Sequence, residues 1–97
     1  MKIIAEHDYI KVNRKVVGLK KVQQTDYRRL TLYEDCLTTK HRTFLLTDII
    51  NISARLIGGD GGLILIHTSS GMYSYTTEKI DKKFIEKVTD LLTRRGV

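Results

Sequence analysis

The sequence predicts a small, mainly β (α+β) domain: about six or seven short antiparallel strands, forming a barrel or sandwich, closed by one C-terminal amphipathic helix. Three observations carry that expectation. From Thr77 to Arg95 the apolar residues Ile80, Phe84, Ile85, Val88, Leu91 and Leu92 recur at helical spacing and fall on one stripe. Before Thr77, apolar and polar residues alternate in short runs punctuated by turn residues. The chain has no proline, so every strand is free to pair.

A stripe of six such side chains is worth on the order of 10 kcal/mol when buried, before ordering entropy is subtracted, so the helix needs a β core beneath it. The 97 residues make one domain, residues 1–97, with strands between about 2 and 76 and the helix over about 78–95. Hydrophobic residues at 41% and charged ones at 29% exclude disorder. One cysteine, Cys36, excludes an intrachain disulfide and points to a reducing compartment. Glu6, His7 and Asp8 stand where a signal peptide would need its apolar core, and no apolar run is of membrane-spanning length. A cytoplasmic chain is expected. The formal charge of +6 favours acidic partners, with the basic residues spread along the chain.

In order, Lys2–Ala5 and Tyr9–Val12 read as short strands parted by the charged triplet, and Asn13-Arg14 reads as a turn. Lys15–Gln23 reads as a strand bulged at Gly18, and Gln24–Asp26 as the next turn. From Tyr27 the alternation sharpens, Leu30 and Leu32 facing one way and Thr31 and Tyr33 the other, with Glu34-Asp35 turning the chain. Cys36-Leu37 begins the return, the polar run Thr38–Arg42 interrupts it, and Thr43–Thr47 resumes it around Phe44 and Leu46. From Asp48, Ile50, Ile52, Ala54 and Leu56 share one face. Gly58–Gly62 is a hairpin loop, and Leu63–Thr68 and Met72–Thr76 are strands joined at Ser69-Ser70-Gly71. Leu63–Ile66 is apolar on both faces, so one of them is either covered or a contact surface. Thr77 fits a helix N-cap, Glu78 with Lys82 and Asp90 with Arg94 are pairs four apart, Arg94 and Arg95 suit the C-terminal dipole, and Gly96 suits a stop.

The runs Leu30–Leu37 and Phe44–Ile52, followed by Tyr73, Tyr75 and Phe84-Ile85, follow the sequence pattern of a strand, an acidic turn, a strand, and an aspartate leading into isoleucines. This pattern resembles the pleckstrin-homology-like (PH-like) superfold, most of all its bacterial branch, over about residues 15–95. The resemblance implies a non-enzymatic interaction module without cofactor, with Phe84 filling the space where many eukaryotic members carry tryptophan. Lipid-binding members place basic residues around the first hairpin. Here the corresponding residues are Lys20, Lys21, Arg28 and Arg29, with Lys40, His41 and Arg42 one hairpin later.

The glycine-rich loop leads into a strand and lacks the lysine of a phosphate-binding loop, so it reads as a mobile hairpin. His7, His41, His67 and Cys36 show no metal-ligand spacing; an exposed His7 and His41, a sheet-lining His67 and a buried Cys36 are expected. Cys36 with His41, or Ser69 with His67, would need an acidic orienter and an oxyanion site that the pattern does not supply. Three functional readings follow. The first is a protein contact or self-association through the sheet, with Ile64 and Ile66 at the surface. The second is binding of an anionic lipid or phosphate ligand by the basic hairpin ends, Lys20, Lys21, Arg28, Arg29, Lys40, His41 and Arg42. The third is a single-stranded nucleic acid stacked on Tyr27, Tyr33, Tyr73 and Tyr75.

Overall fold

A computed structural model describes residues 2–95, Arg95 by its backbone alone. The expected helix stop at Gly96 and the side chain of Arg95 lie outside the described residues. The strands are β1 (Ala5–Val17), β2 (Lys20–Leu32), β3 (Cys36–Thr38), β4 (Thr43–Leu45), β5 (Ile49–Leu56), β6 (Gly62–Thr68) and β7 (Gly71–Thr77), and the helix α1 spans Lys82–Arg95. All seven strands join one antiparallel sheet in the order β4-β3-β2-β1-β7-β6-β5. The expected mainly β domain with a C-terminal helix is what forms.

The pairing of β1 with β7 joins two meanders, and their inner faces share one core. Leu30, Leu32, Leu37 and Phe44 come from the first meander and Ile49, Ile52, Ile64 and Ile66 from the second. A flat sheet cannot bring those residues together, so the sheet curls on itself. Phe84 and Val88 of α1 are buried in the same cluster, with Ile85, Leu91 and Leu92 half-buried around it. Five residues of the predicted stripe thus pack along one side of the helix, as its period requires, while Ile80 precedes the helix.

The first third of the chain departs from the expected layout. Glu6, His7 and Asp8 do not break a strand, because the alternation turns His7 inward and leaves the two carboxylates outside. Asn13 pairs with Gln24 and Arg14 with Gln23 inside one hairpin of 13-residue strands, so neither expected turn exists. The turn is Gly18-Leu19: Gly18 has φ of +63° and among the described residues no non-glycine has positive φ, which fits a II′ turn with glycine first.

Smaller departures lie further along the chain. β4 stops at Leu45, and Leu46–Asp48 forms a single 3-10 turn. A register shift between Ile49 and Asn51 puts both Ile49 and Ile52 in the core and leaves Ile50 exposed, whereas strict alternation would have buried Ile50. Ala54 and Leu56 are exposed beside α1. At the helix start, Asp81 rather than Thr77 is the cap: its Oδ1 accepts the Lys83 amide at 3.0 Å. Glu78 therefore lies outside the helix and its expected pairing with Lys82 is not made, while Asp90 and Arg94 pair at 3.3 Å. Gly62 packs against β5 so closely that a Cβ there would run into the Arg55 carbonyl.

Candidate anion-binding cleft

The aromatic end of the core opens into a cleft of about 460 Å³ between β1, β2, β7 and the loop joining β3 to β4. Tyr9 and Arg28 sit opposite each other in the β1–β2 register, the last inward-facing pair before the hairpin leaves the body. Thr39, His41 and Arg42 come from the loop, and Tyr75 from β7. The loop is fixed by its own threonine: the Thr39 amide donates to the Arg42 carbonyl at 2.7 Å, and its hydroxyl accepts the amides of His41 and Arg42 at 3.3 and 3.0 Å. The Lys40 amide donates to the Tyr9 hydroxyl at 3.4 Å, tying loop to strand.

Two guanidinium groups line this space. Arg42 lies over the Tyr73 ring, 4.4 Å from its centroid, and donates to the Tyr73 hydroxyl at 3.1 Å. It forms no ion pair among the described residues. Arg28 reaches Asp26 at 3.4 Å, but its Nε is sealed from solvent with no hydrogen-bond partner. A sealed, unpaired polar N–H costs about 1–3 kcal/mol, more on a charged group. No carboxylate lines the cleft. Burial pushes the Tyr75 phenol up against the opposing pull of Arg42, so its hydroxyl keeps its proton and stays a donor. Tyr9 packs edge-on against Tyr75 at 5.0 Å in the cleft wall, and Phe44 packs edge-on against Tyr73 at 5.0 Å under the Arg42 guanidinium. Guanidinium, imidazole and hydroxyl donors around an acid-free hollow suit an oxyanion, phosphate above all.

Of the seven basic candidates, the fold gathers Arg28, His41 and Arg42. Lys40 contributes its backbone amide, its side chain being exposed. Arg29 faces outward, bonded to Asp8 at 3.2 Å and Glu6 at 3.5 Å; the bond to Asp8 and the charge of Glu6 push its pKa up. Lys20 and Lys21 flank the hairpin turn, away from the cleft. Ile64 and Ile66 are fully buried, which corrects their placement at a contact surface: the outer residues of β6 are Leu63 and Leu65, both half-buried. His7 is buried rather than exposed. The four tyrosines do not line one surface, because Tyr27 is 70% exposed on the outer face while Tyr73 and Tyr75 pack in the core aromatic cluster. Sequence reasoning missed Tyr9 and Thr39 and named Tyr75 only for base stacking; the three come from separate strands and a loop.

No helix among the described residues is long and apolar enough to cross a membrane. Compared with known proteins, the chain matches no protein-family model and no curated sequence.

Proposed function

We propose that the chain is a non-enzymatic, PH-like binding module that takes a phosphate-bearing anion in the cleft formed by Arg28, His41, Arg42 and Tyr75. The observation that carries this reading is that Arg28, whose Nε has no hydrogen-bond partner, and Arg42 both line a cleft whose lining includes no carboxylate. An oxyanion there supplies the charge compensation that Asp26 gives only at 3.4 Å. The cleft's 460 Å³ holds a phosphate with a small organic group attached. Two meanders joined through β1, with one helix over their common core, support the PH-like resemblance.

Calorimetric titration with inorganic phosphate and a sugar phosphate, beside sedimentation with vesicles bearing phosphate-monoester headgroups, tests the reading and separates its sources. Arg28→Gln and Arg42→Gln are each expected to weaken binding about ten- to a hundredfold, with Arg29→Gln unchanged. Binding of none of the three probes, or binding indifferent to Arg28 and Arg42, overturns it.

A second reading keeps a protein contact, moved to the outer face that carries Leu63 and Leu65 on β6 and Met72 on β7, the last 60% exposed. Light scattering of the wild type and of Leu65→Lys tests it: a monomer in both cases removes self-association through that face.

A further inference from the structure

The long hairpin leaves the body of the domain at Ile10 and Tyr27. Past Ile10, β1 pairs only with β2, and before Thr31, β2 pairs only with β1. From Lys11 to Thr25 every residue except Asn13 is exposed. Lys11–Val17 at strand rise extends about 24 Å, and the molecule measures 57 Å along this axis against 27 and 26 Å across it. A two-stranded ribbon standing alone in water is marginal, so this arm calls for a partner.

The arm's chemistry says which partner. Lys11, Arg14, Lys15, Lys20 and Lys21 lie on it and no acidic residue does, so the remaining residues are nearly neutral and the arm carries most of the +6 charge. Such a ribbon repels a second copy of itself. The register sets Arg14 beside Gln23 and Val16 beside Lys21 on one face, and Asn13 beside Gln24 and Val17 beside Lys20 on the other. Leu19, fully exposed, caps the end. A membrane-surface element segregates an apolar face from a charged one; here cations and aliphatics share both faces. Amide side chains at mid-length, cations on both flanks and an aliphatic tip are the components of a groove-binding ribbon: cations meet backbone phosphates, amides meet base edges, and the tip wedges between base steps.

We infer that the arm Lys11–Thr25 binds duplex DNA by lying in a groove, with Leu19 as the wedge that opens a base step. The inference stands on the arm and is independent of the cleft.

The test is fluorescence anisotropy of a labelled duplex of about two helical turns, titrated with the full chain between about 50 and 200 mM salt. Five phosphate contacts predict a log–log salt slope of about −4.5, and K20Q/K21Q lowers that slope by about two. Energy transfer between labels on the duplex ends reports bending by the wild type and its loss in Leu19→Ser. These variants lie outside the core, and unchanged circular dichroism and melting confirm that they fold. Arg28→Gln leaves the slope contribution of Lys20 and Lys21 intact, which separates failure of the cleft from failure of the arm. Absence of duplex binding at low salt, a slope untouched by K20Q/K21Q, or arm-dependent binding to phosphatidylglycerol vesicles without duplex binding overturns the inference. Bending that survives Leu19→Ser overturns the wedge.

Discussion

The buried imidazole of His7, in the first strand, accepts the backbone amide of Asp81 at 2.9 Å through Nε2, tying the start of the sheet to the start of the helix 74 residues later. Because that amide can only donate, the ring proton sits on Nδ1, where it donates to the Asp8 carbonyl at 2.7 Å. The ring also packs edge-on against Phe84, 5.3 Å away. One side chain therefore orients the first helical turn and supports Phe84, the largest fully buried side chain of α1.

His7→Ala removes both hydrogen bonds and leaves a void against Phe84. It is expected to cost about 2–4 kcal/mol in urea unfolding with an unchanged m value, and His7→Phe to recover packing but not the Asp81 bond. A loss under about 0.5 kcal/mol for the alanine variant rejects the strap.

Phe84 is 1% exposed, at the centre of the shared core. Phe84→Ala is expected to cost about 3–5 kcal/mol. Leu92→Ala, at a half-buried position, costs less. Equal losses for the two, measured by chemical denaturation, contradict the assignment of the helix as a lid.

The Cys36 thiol is buried, and its pKa is pushed up by that burial and then by the neighbouring Asp35. Deprotonation is thus harder in the folded state than in the unfolded one. The stabilisation is complete below the unfolded thiol value of about 8.5 and is lost as pH rises through the folded value, so Cys36→Ala flattens the alkaline fall in stability. A disulfide reagent at neutral pH is expected to react at the rate of unfolding, and prompt labelling of the folded chain refutes the burial.

Two glycines separate local from global strain. Gly62→Ala drives a methyl into the Arg55 carbonyl and is expected to cost about 1–3 kcal/mol or more. Gly18→Ala meets nothing within 4 Å and strains only the backbone at the tip, so it loosens the arm and leaves the global melt nearly unchanged. Hydrogen exchange of Lys15–Val22 against the melting midpoint resolves the two.

What was legible in the sequence followed from periodicity. Leu30, Leu32, Phe84 and Val88 each occupy the inward phase of a regular repeat, and all are buried. The arm is not legible because Asn13-Arg14 has turn composition while the real turn, Gly18-Leu19, sits inside a valine- and lysine-rich run resembling a strand. The concentration of charge there was nonetheless visible as the absence of acidic residues between Asp8 and Asp26. In β6 both phases are apolar, so alternation cannot tell Ile64 and Ile66 from Leu63 and Leu65; only the curl of the sheet decides which pair is inside. Charge alone pointed to Arg28, His41 and Arg42, but Tyr9 and Tyr75 reach the cleft through strand pairings that no local pattern encodes.

The side-chain resonance of Arg28 tests the central claim most directly. In a 15N correlation spectrum the sealed Nε–H gives its own signal, and addition of phosphate is expected to shift it together with the backbone amides of Thr39 and Arg42. No change at Arg28 under saturating phosphate, or shifts confined to the arm, contradicts an anion site in the cleft.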